Sequence, residues 1–184
     1  MASRFIAIFA AFSVFAPVGA SAEIALDELR GGILAQSCCG LGVNKEQGVG
    51  INAEALFKSP KFLSILGSPR PLIGGTVASD PDATSQIYAG FEWKLEASKF
   101  FIAGSLGGAI HNGETDFDPA VDLPRLSDTL FFGCRANFRL AADVGYRITK
   151  RVSASVHWAH ISNANLCDEN EGLDHIGARV GLSF

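Results

Sequence analysis

From Phe132 to Ile148 every second residue is apolar or small: Phe132, Cys134, Ala136, Phe138, Leu140, Ala142, Val144, Tyr146 and Ile148. Between them stand Gly133, Arg135, Asn137, Arg139, Ala141, Asp143, Gly145 and Arg147. Successive side chains of a strand point to opposite faces, so this run makes one apolar and one polar face; a helix would mix the two sets. The split recurs at Ile51, Ala53, Ala55 and Phe57 against Asn52, Glu54 and Leu56, and at Ile87, Ala89, Phe91, Trp93 and Leu95 against Tyr88, Gly90, Glu92 and Lys94. It recurs again at Ile176, Ala178, Val180, Leu182 and Phe184 against His175, Gly177, Arg179, Gly181 and Ser183. Weaker runs at 28–36, 70–78 and 100–111, with 152–162, bring the count to eight strands, an even number. The fold class is all-β, an eight-stranded antiparallel barrel.

Alternation alone does not say which face is inside. A soluble, lipocalin-like barrel would turn the apolar face inward around a ligand; a transmembrane barrel would turn it outward against lipid. The polar face carries Arg30, Glu54, Glu92, Lys94, Arg135, Arg139, Asp143, Arg147 and Arg179, a set that suits a narrow lumen filled by paired charges. Phe57, Trp93, Phe100, Tyr146 and Phe184 fall at one end of their strands, as an interfacial aromatic belt does. Both features favour the outer-membrane type. With 18% charged residues and a net charge of −4, the chain is no nucleic-acid binder built on bulk charge.

Residues 1–22 read as a secretory signal peptide. One positive charge at Arg4 precedes the apolar run from Phe5 to Ala16, Pro17 breaks it, and Ala20-Ser21-Ala22 supplies an A-x-A cleavage site. Residues 23–184 are then the barrel domain, and no later stretch reaches the ~18 apolar residues of a spanning helix. Tight links at 96–99 and 149–151 lie on one side. Longer ones at 39–47, 112–127 and 163–173 lie on the other, the expected asymmetry of periplasmic turns and external loops. The long link 58–69 and the short link 79–83 are exceptions.

Candidate chemistry sits at the end of the seventh strand. Strand parity puts His160 and Ser162 on the same outward face as Val152, Ala154, Val156 and Trp158, and puts Asp174 on the outward face of the eighth strand. The two strands are antiparallel neighbours, so an imidazole, a hydroxyl and a carboxylate should cluster at the external rim. A serine hydroxyl is a poor nucleophile until an adjacent imidazole takes its proton, and a carboxylate on the far ring nitrogen fixes the tautomer. An oxyanion donor is also required, and Asn163 is the adjacent amide. Trp158, one pleat from His160, is placed either to touch an acyl chain or to join an aromatic girdle. The four histidines (His111, His157, His160, His175) show no metal-ligand spacing, and neither a metal nor a cofactor is expected. By parity His157 and His175 face the lumen.

The run His160-Ile161-Ser162-Asn163-Ala164, followed by Asn170, Gly172, Leu173, Asp174 and a closing strand ending in Phe184, resembles the outer-membrane lipid A 3-O-deacylase (PagL-like) family. Leu29-Arg30-Gly31-Gly32-Ile33-Leu34-Ala35 is similar to the first strand of that family, and a terminal Phe184 resembles the closing signature of bacterial outer-membrane barrels. The resemblance implies a serine esterase in the outer membrane of a Gram-negative bacterium that hydrolyses the 3-O-linked 3-hydroxyacyl chain of lipid A. It implies His160 as base, Ser162 as nucleophile, Asp174 as acid and Asn163 in the oxyanion site. The best-characterised members carry Glu where this chain has Asp174, which leaves Glu171 open as the acid. Some carry Gly where this chain has Asn165.

Lipopolysaccharide and outer-membrane lipids are the expected partners, and a homodimer is left open. Two other readings stand beside the esterase: a non-catalytic barrel that works through its external loops, and a soluble lipocalin-like binder; among enzymes, phospholipid acyl hydrolysis or acyl transfer is also left open. Among the four cysteines, a bridge between Cys38 or Cys39 and Cys167 would pin the last loop beside Asp174, while Cys134 reads as a free small hydrophobe on the apolar face.

Overall fold

The computed structural model describes residues 25–184. The signal peptide read at residues 1–22 lies outside the described residues. Eight strands follow in order: β1 (Leu26–Gln36), β2 (Val49–Phe57), β3 (Arg70–Ala78), β4 (Gln86–Ala97), β5 (Phe100–His111), β6 (Ala136–Arg147), β7 (Val152–Ser162) and β8 (Leu173–Ser183). Each pairs antiparallel with its sequence neighbours, and β1 pairs with β8, so the sheet closes into a barrel without an edge.

The apolar face is outside. Ile33, Ile51, Ile73, Val77, Val144 and Val180 are all more than half exposed, whereas Arg30, Glu54, Glu92, Arg139, Asp143, His157, His175 and Arg179 are buried in the lumen. A continuous outward apolar wall around a charged interior is stable against hydrocarbon and not against water. Phe57, Trp93, Phe100, Tyr146 and Phe184 gather at one end of that wall, where the Phe100 and Tyr146 rings meet edge to face at 5.0 Å. Ile73→Arg, in the middle of β3, is expected to lower stability by about 2–4 kcal/mol, the penalty for arginine near the bilayer midplane. Urea titration in lipid vesicles checks this.

The barrel is plugged at its long-loop end. Leu130, Phe132, Ile161 and Leu173 are fully buried together. Here the alternation misleads. Phe132 and Cys134 continue the periodicity of β6, yet the strand starts only at Ala136. Gly133 has φ 73°, a left-handed turn that takes the chain off the sheet. Phe132 therefore folds inward, its N–H donating to Glu114 O at 2.9 Å, instead of facing lipid. Arg135 stays at the rim, donating to the carbonyls of His111 and Gly113.

Candidate active site

β7 and β8 build the site by register. His160 lies directly opposite Asp174 in the β7–β8 ladder, and Ser162 follows two residues on, on the same face. His160 Nδ1 is 2.8 Å from Asp174 Oδ1, and His160 Nε2 is 3.0 Å from Ser162 Oγ. With the proton on Nδ1 donated to the carboxylate, Nε2 is left to accept from the hydroxyl. The Trp158 and His160 rings run nearly parallel, 8° between planes with centroids 6.2 Å apart. On the other flank Leu140 faces His160 and Phe138 faces Ser162, both apolar and exposed. The nucleophile candidate thus opens onto the apolar outer wall, not into the lumen. Gly172 clears space for the imidazole: an added Cβ there would lie 2.6 Å from His160 Cε1.

Of the two carboxylates left open by the sequence, Asp174 is the one against His160. Glu171 is engaged elsewhere, with Lys45 Nζ at 2.5 Å and the Phe131 N–H donating to it at 2.9 Å.

The expected oxyanion donor is placed differently. Asn163 is buried, and its amide nitrogen donates to Phe132 O at 2.6 Å and Glu169 O at 2.5 Å. Its own N–H donates to Asn170 Oδ1 at 2.9 Å, and its Oδ1 accepts from the Leu166 N–H. It braces the β7–β8 loop from within, so its side chain has no donor left for a substrate. Two left-handed residues follow it, Ala164 (φ 56°) and Asn165 (φ 61°). Among the described residues neither N–H donates a hydrogen bond. Asparagine tolerates this conformation better than other side-chain-bearing residues, so Asn165 takes the backbone shape a glycine would give. Asn170 Nδ2 donates to Asn165 Oδ1 at 2.9 Å. Sequence reasoning met Asn170 only as part of the resemblance.

The cysteine expectation is corrected. Cys134 pairs with Cys167, with Cα atoms 6.0 Å apart, and Cys38 pairs with its neighbour Cys39. The reason is topological: β6 lies beside β7, so the segment entering β6 meets the loop leaving β7. Cys38 and Cys39 lie on the far flank, beside β8. The Cys134–Cys167 link closes 33 residues and ties the loop behind Ser162 to the barrel mouth. Chain-entropy arithmetic for that span gives about 3–4 kcal/mol. The double variant Cys134→Ser/Cys167→Ser is expected to unfold at lower urea by that order. Dithiothreitol should move the wild type by about that amount and shift the variant, which keeps only the Cys38–Cys39 pair, by much less.

Comparisons with known proteins agree with this architecture. Residues 70–183 match the sequence profile of a family described as Lipid A 3-O-deacylase (PagL). No protein of curated description matches the chain by sequence. Among solved structures, the chain is similar to the outer-membrane enzyme PagL at TM-score 0.58 and 15% identity, over 85% of this chain and 99% of that one. It is also similar to the N-terminal β-barrel domain of Pseudomonas aeruginosa OprF, at TM-score 0.52 and 10% identity over 86% and 98% of the two chains. The Neisserial surface protein A matches at TM-score 0.52 and 12% identity, over 85% and 96%. At these identities the structural likenesses speak for the fold.

Proposed function

The chain belongs to the lipid A 3-O-deacylase (PagL) family, and on that premise we propose that it is a serine esterase of the Gram-negative outer membrane, exported by residues 1–22, that removes the 3-O-linked 3-hydroxyacyl chain of lipid A from the outer leaflet. The observation that carries this reading is the unbroken hydrogen-bond chain Asp174–His160–Ser162 on the outward, apolar side of the barrel at its long-loop end. Lipopolysaccharide occupies the outer leaflet, and a site on the outer wall meets its acyl chains without extracting them from the membrane.

The geometry supports the following mechanism. Ser162 Oγ attacks the ester carbonyl while its proton passes to His160 Nε2; Asp174 holds the ring and stabilises the imidazolium. The tetrahedral intermediate collapses, and His160 returns the proton to the departing sugar oxygen. The acyl chain is left on Ser162. Water, deprotonated by the same nitrogen, then attacks the acyl-enzyme and releases a 3-hydroxy fatty acid. The developing oxyanion needs donors that are not already engaged. The free N–H groups of Ala164 and Asn165 meet that need, with the second amide hydrogen of Asn170. Phe138 and Leu140 offer apolar surface to the acyl chain, and Trp158 backs the imidazole.

Mass spectrometry of lipid A tests the reading. Cells expressing the wild type in their outer membrane should lose one 3-hydroxyacyl mass, and cells expressing Ser162→Ala should not. Unchanged lipid A with altered phospholipid acyl content would instead identify a phospholipid hydrolase. No change in either, with the barrel folded, would leave a non-catalytic barrel.

A further inference from the structure

Strand parity points Asp174 outward, yet it is only 2% exposed. What covers it is the β1–β2 loop, residues 37–48, which is more than 120 residues away in sequence. The loop lies along the start of β8: the Cys38 N–H donates to Asp174 O at 3.3 Å and the Val43 N–H donates to Gly172 O at 2.9 Å. Between these anchors the Gly42 N–H donates to Asp174 Oδ2 at 2.5 Å, while Oδ1 faces His160 Nδ1. The loop is closed on itself by Ser37, whose hydroxyl donates to Val43 O at 2.6 Å and accepts from the Lys45 N–H at 3.2 Å. The segment fits without spare room. A Cβ added at Gly40 would lie 2.6 Å from Asp174 Oδ2 and 2.7 Å from Trp158 Nε1, and one at Gly42 would lie 2.3 Å from Gly172 O.

We infer that this loop is a working part of the site and that Gly42 is a positioning residue: its N–H fixes the free oxygen of Asp174, so that the other oxygen stays aimed at His160. The inference rests on the hydrolase reading above. A carboxylate on the lipid-facing wall without a second partner would rotate or take up water, and either would weaken its hold on the imidazole. The backbone donor prevents rotation, and the Gly40-Leu41-Gly42 cover excludes water, which strengthens the His160–Asp174 interaction in a low-dielectric setting. Small residues are required at 40 and 42 because the backbone itself must approach the carboxylate.

The test uses the folded full barrel in detergent micelles with lipopolysaccharide, measuring released 3-hydroxy fatty acid; heat-modifiable gel mobility reports folding. Gly42→Ala pushes the loop off Gly172 and is expected to lower kcat 10- to 100-fold with KM within about twofold, the scale of losing one hydrogen bond to a charged group. In an Asp174→Ala background the same substitution should cost nothing further, because the loop acts through that carboxylate. The proton resonance of His160 Nδ1–H should move in Gly42→Ala and vanish in Asp174→Ala. If Gly42→Ala does not fold, Gly40→Ala, whose Cβ meets the carboxylate itself, carries the same measurements. Wild-type kcat in these variants, an equal loss in the Asp174→Ala background, or an unmoved His160 resonance would overturn the inference. Retained activity in Ser162→Ala would overturn the hydrolase reading instead, and the resonance arm would still decide on the loop.

Discussion

Ser162→Ala is expected to abolish fatty-acid release, lowering kcat by a factor on the order of 10⁴ or more while leaving the folded barrel and lipopolysaccharide binding intact. Ser162 Oγ is the group that would form the acyl bond, and an alanine methyl cannot. His160→Ala should cost about as much, because the hydroxyl 3.0 Å from Nε2 would have no base. The decisive arm is the double variant: groups that act as one unit are not additive, so Ser162→Ala/His160→Ala should be no slower than either single variant. Asp174→Asn should lose less, since geometry is kept and only the preferred tautomer and charge change. Initial rates with purified barrel and lipopolysaccharide check all four. Additive losses, or Ser162→Ala at the wild-type rate, would remove the nucleophile–base assignment. Ser162→Ala should change the unfolding free energy by no more than about 1 kcal/mol, because it removes only a hydroxyl at the rim and leaves Asp174 paired with His160 and Gly42.

Much of this arrangement is legible in the sequence alone. Period-two alternation is a direct imprint of two chemically different solvents, lipid outside and a charged lumen inside. Every strand that obeys it declares its inward and outward residues. The clustering of His160, Ser162 and Asp174 was legible for the same reason: parity and antiparallel register suffice to put His160 opposite Asp174. What could not be read was what loops do, because loop contacts have no period. Phe132 and Cys134 carried the alternation past the true start of β6, and only the left-handed Gly133 shows where the chain leaves the wall. Asn163 stands next to Ser162 in sequence and so invited a role at the reacting carbonyl. Beyond the end of β7, however, the chain turns, and the amide goes inward to Phe132 O and Glu169 O. The Cys134–Cys167 pairing and the Gly42 contact with Asp174 join segments 33 and 132 residues apart, and nothing local in either partner announces the other.

Arg30→Met is expected to destabilise the barrel by about 3–5 kcal/mol, the usual cost of removing one partner from a buried ion-pair network. Arg30 projects from β1 into the lumen. Its Nε and Nη2 donate to Glu28 at 3.1 Å each, Nη1 meets Glu54 at 3.4 Å, and both Nη atoms bind Glu92, Nη2 at 3.1 Å. A second hub, Arg179 on β8, meets Glu54 at 3.2 Å and Asp143 at 2.7 Å, and Asp143 also binds His157 Nδ1 at 3.0 Å. Arg70 on β3 closes the ring with Glu28 and Glu92. Salt bridges on a protein surface contribute little, but these are cut off from water. Methionine matches the volume of arginine closely enough to keep the packing, so the loss isolates the charge. The second arm tests this: Arg30→Met/Glu92→Gln should recover part of the stability, because it removes one of the negative charges left in excess around Arg70 and Arg179. Urea unfolding in detergent, followed by tryptophan fluorescence and gel mobility, gives both values. If the double variant is less stable than Arg30→Met by the full cost of a second lesion, the lumen charges are held by shape and not by each other. Recovery would mean that the polar face of the alternation, and not only its apolar face against lipid, holds β1, β2, β3, β4, β6, β7 and β8 in the register that brings His160 opposite Asp174.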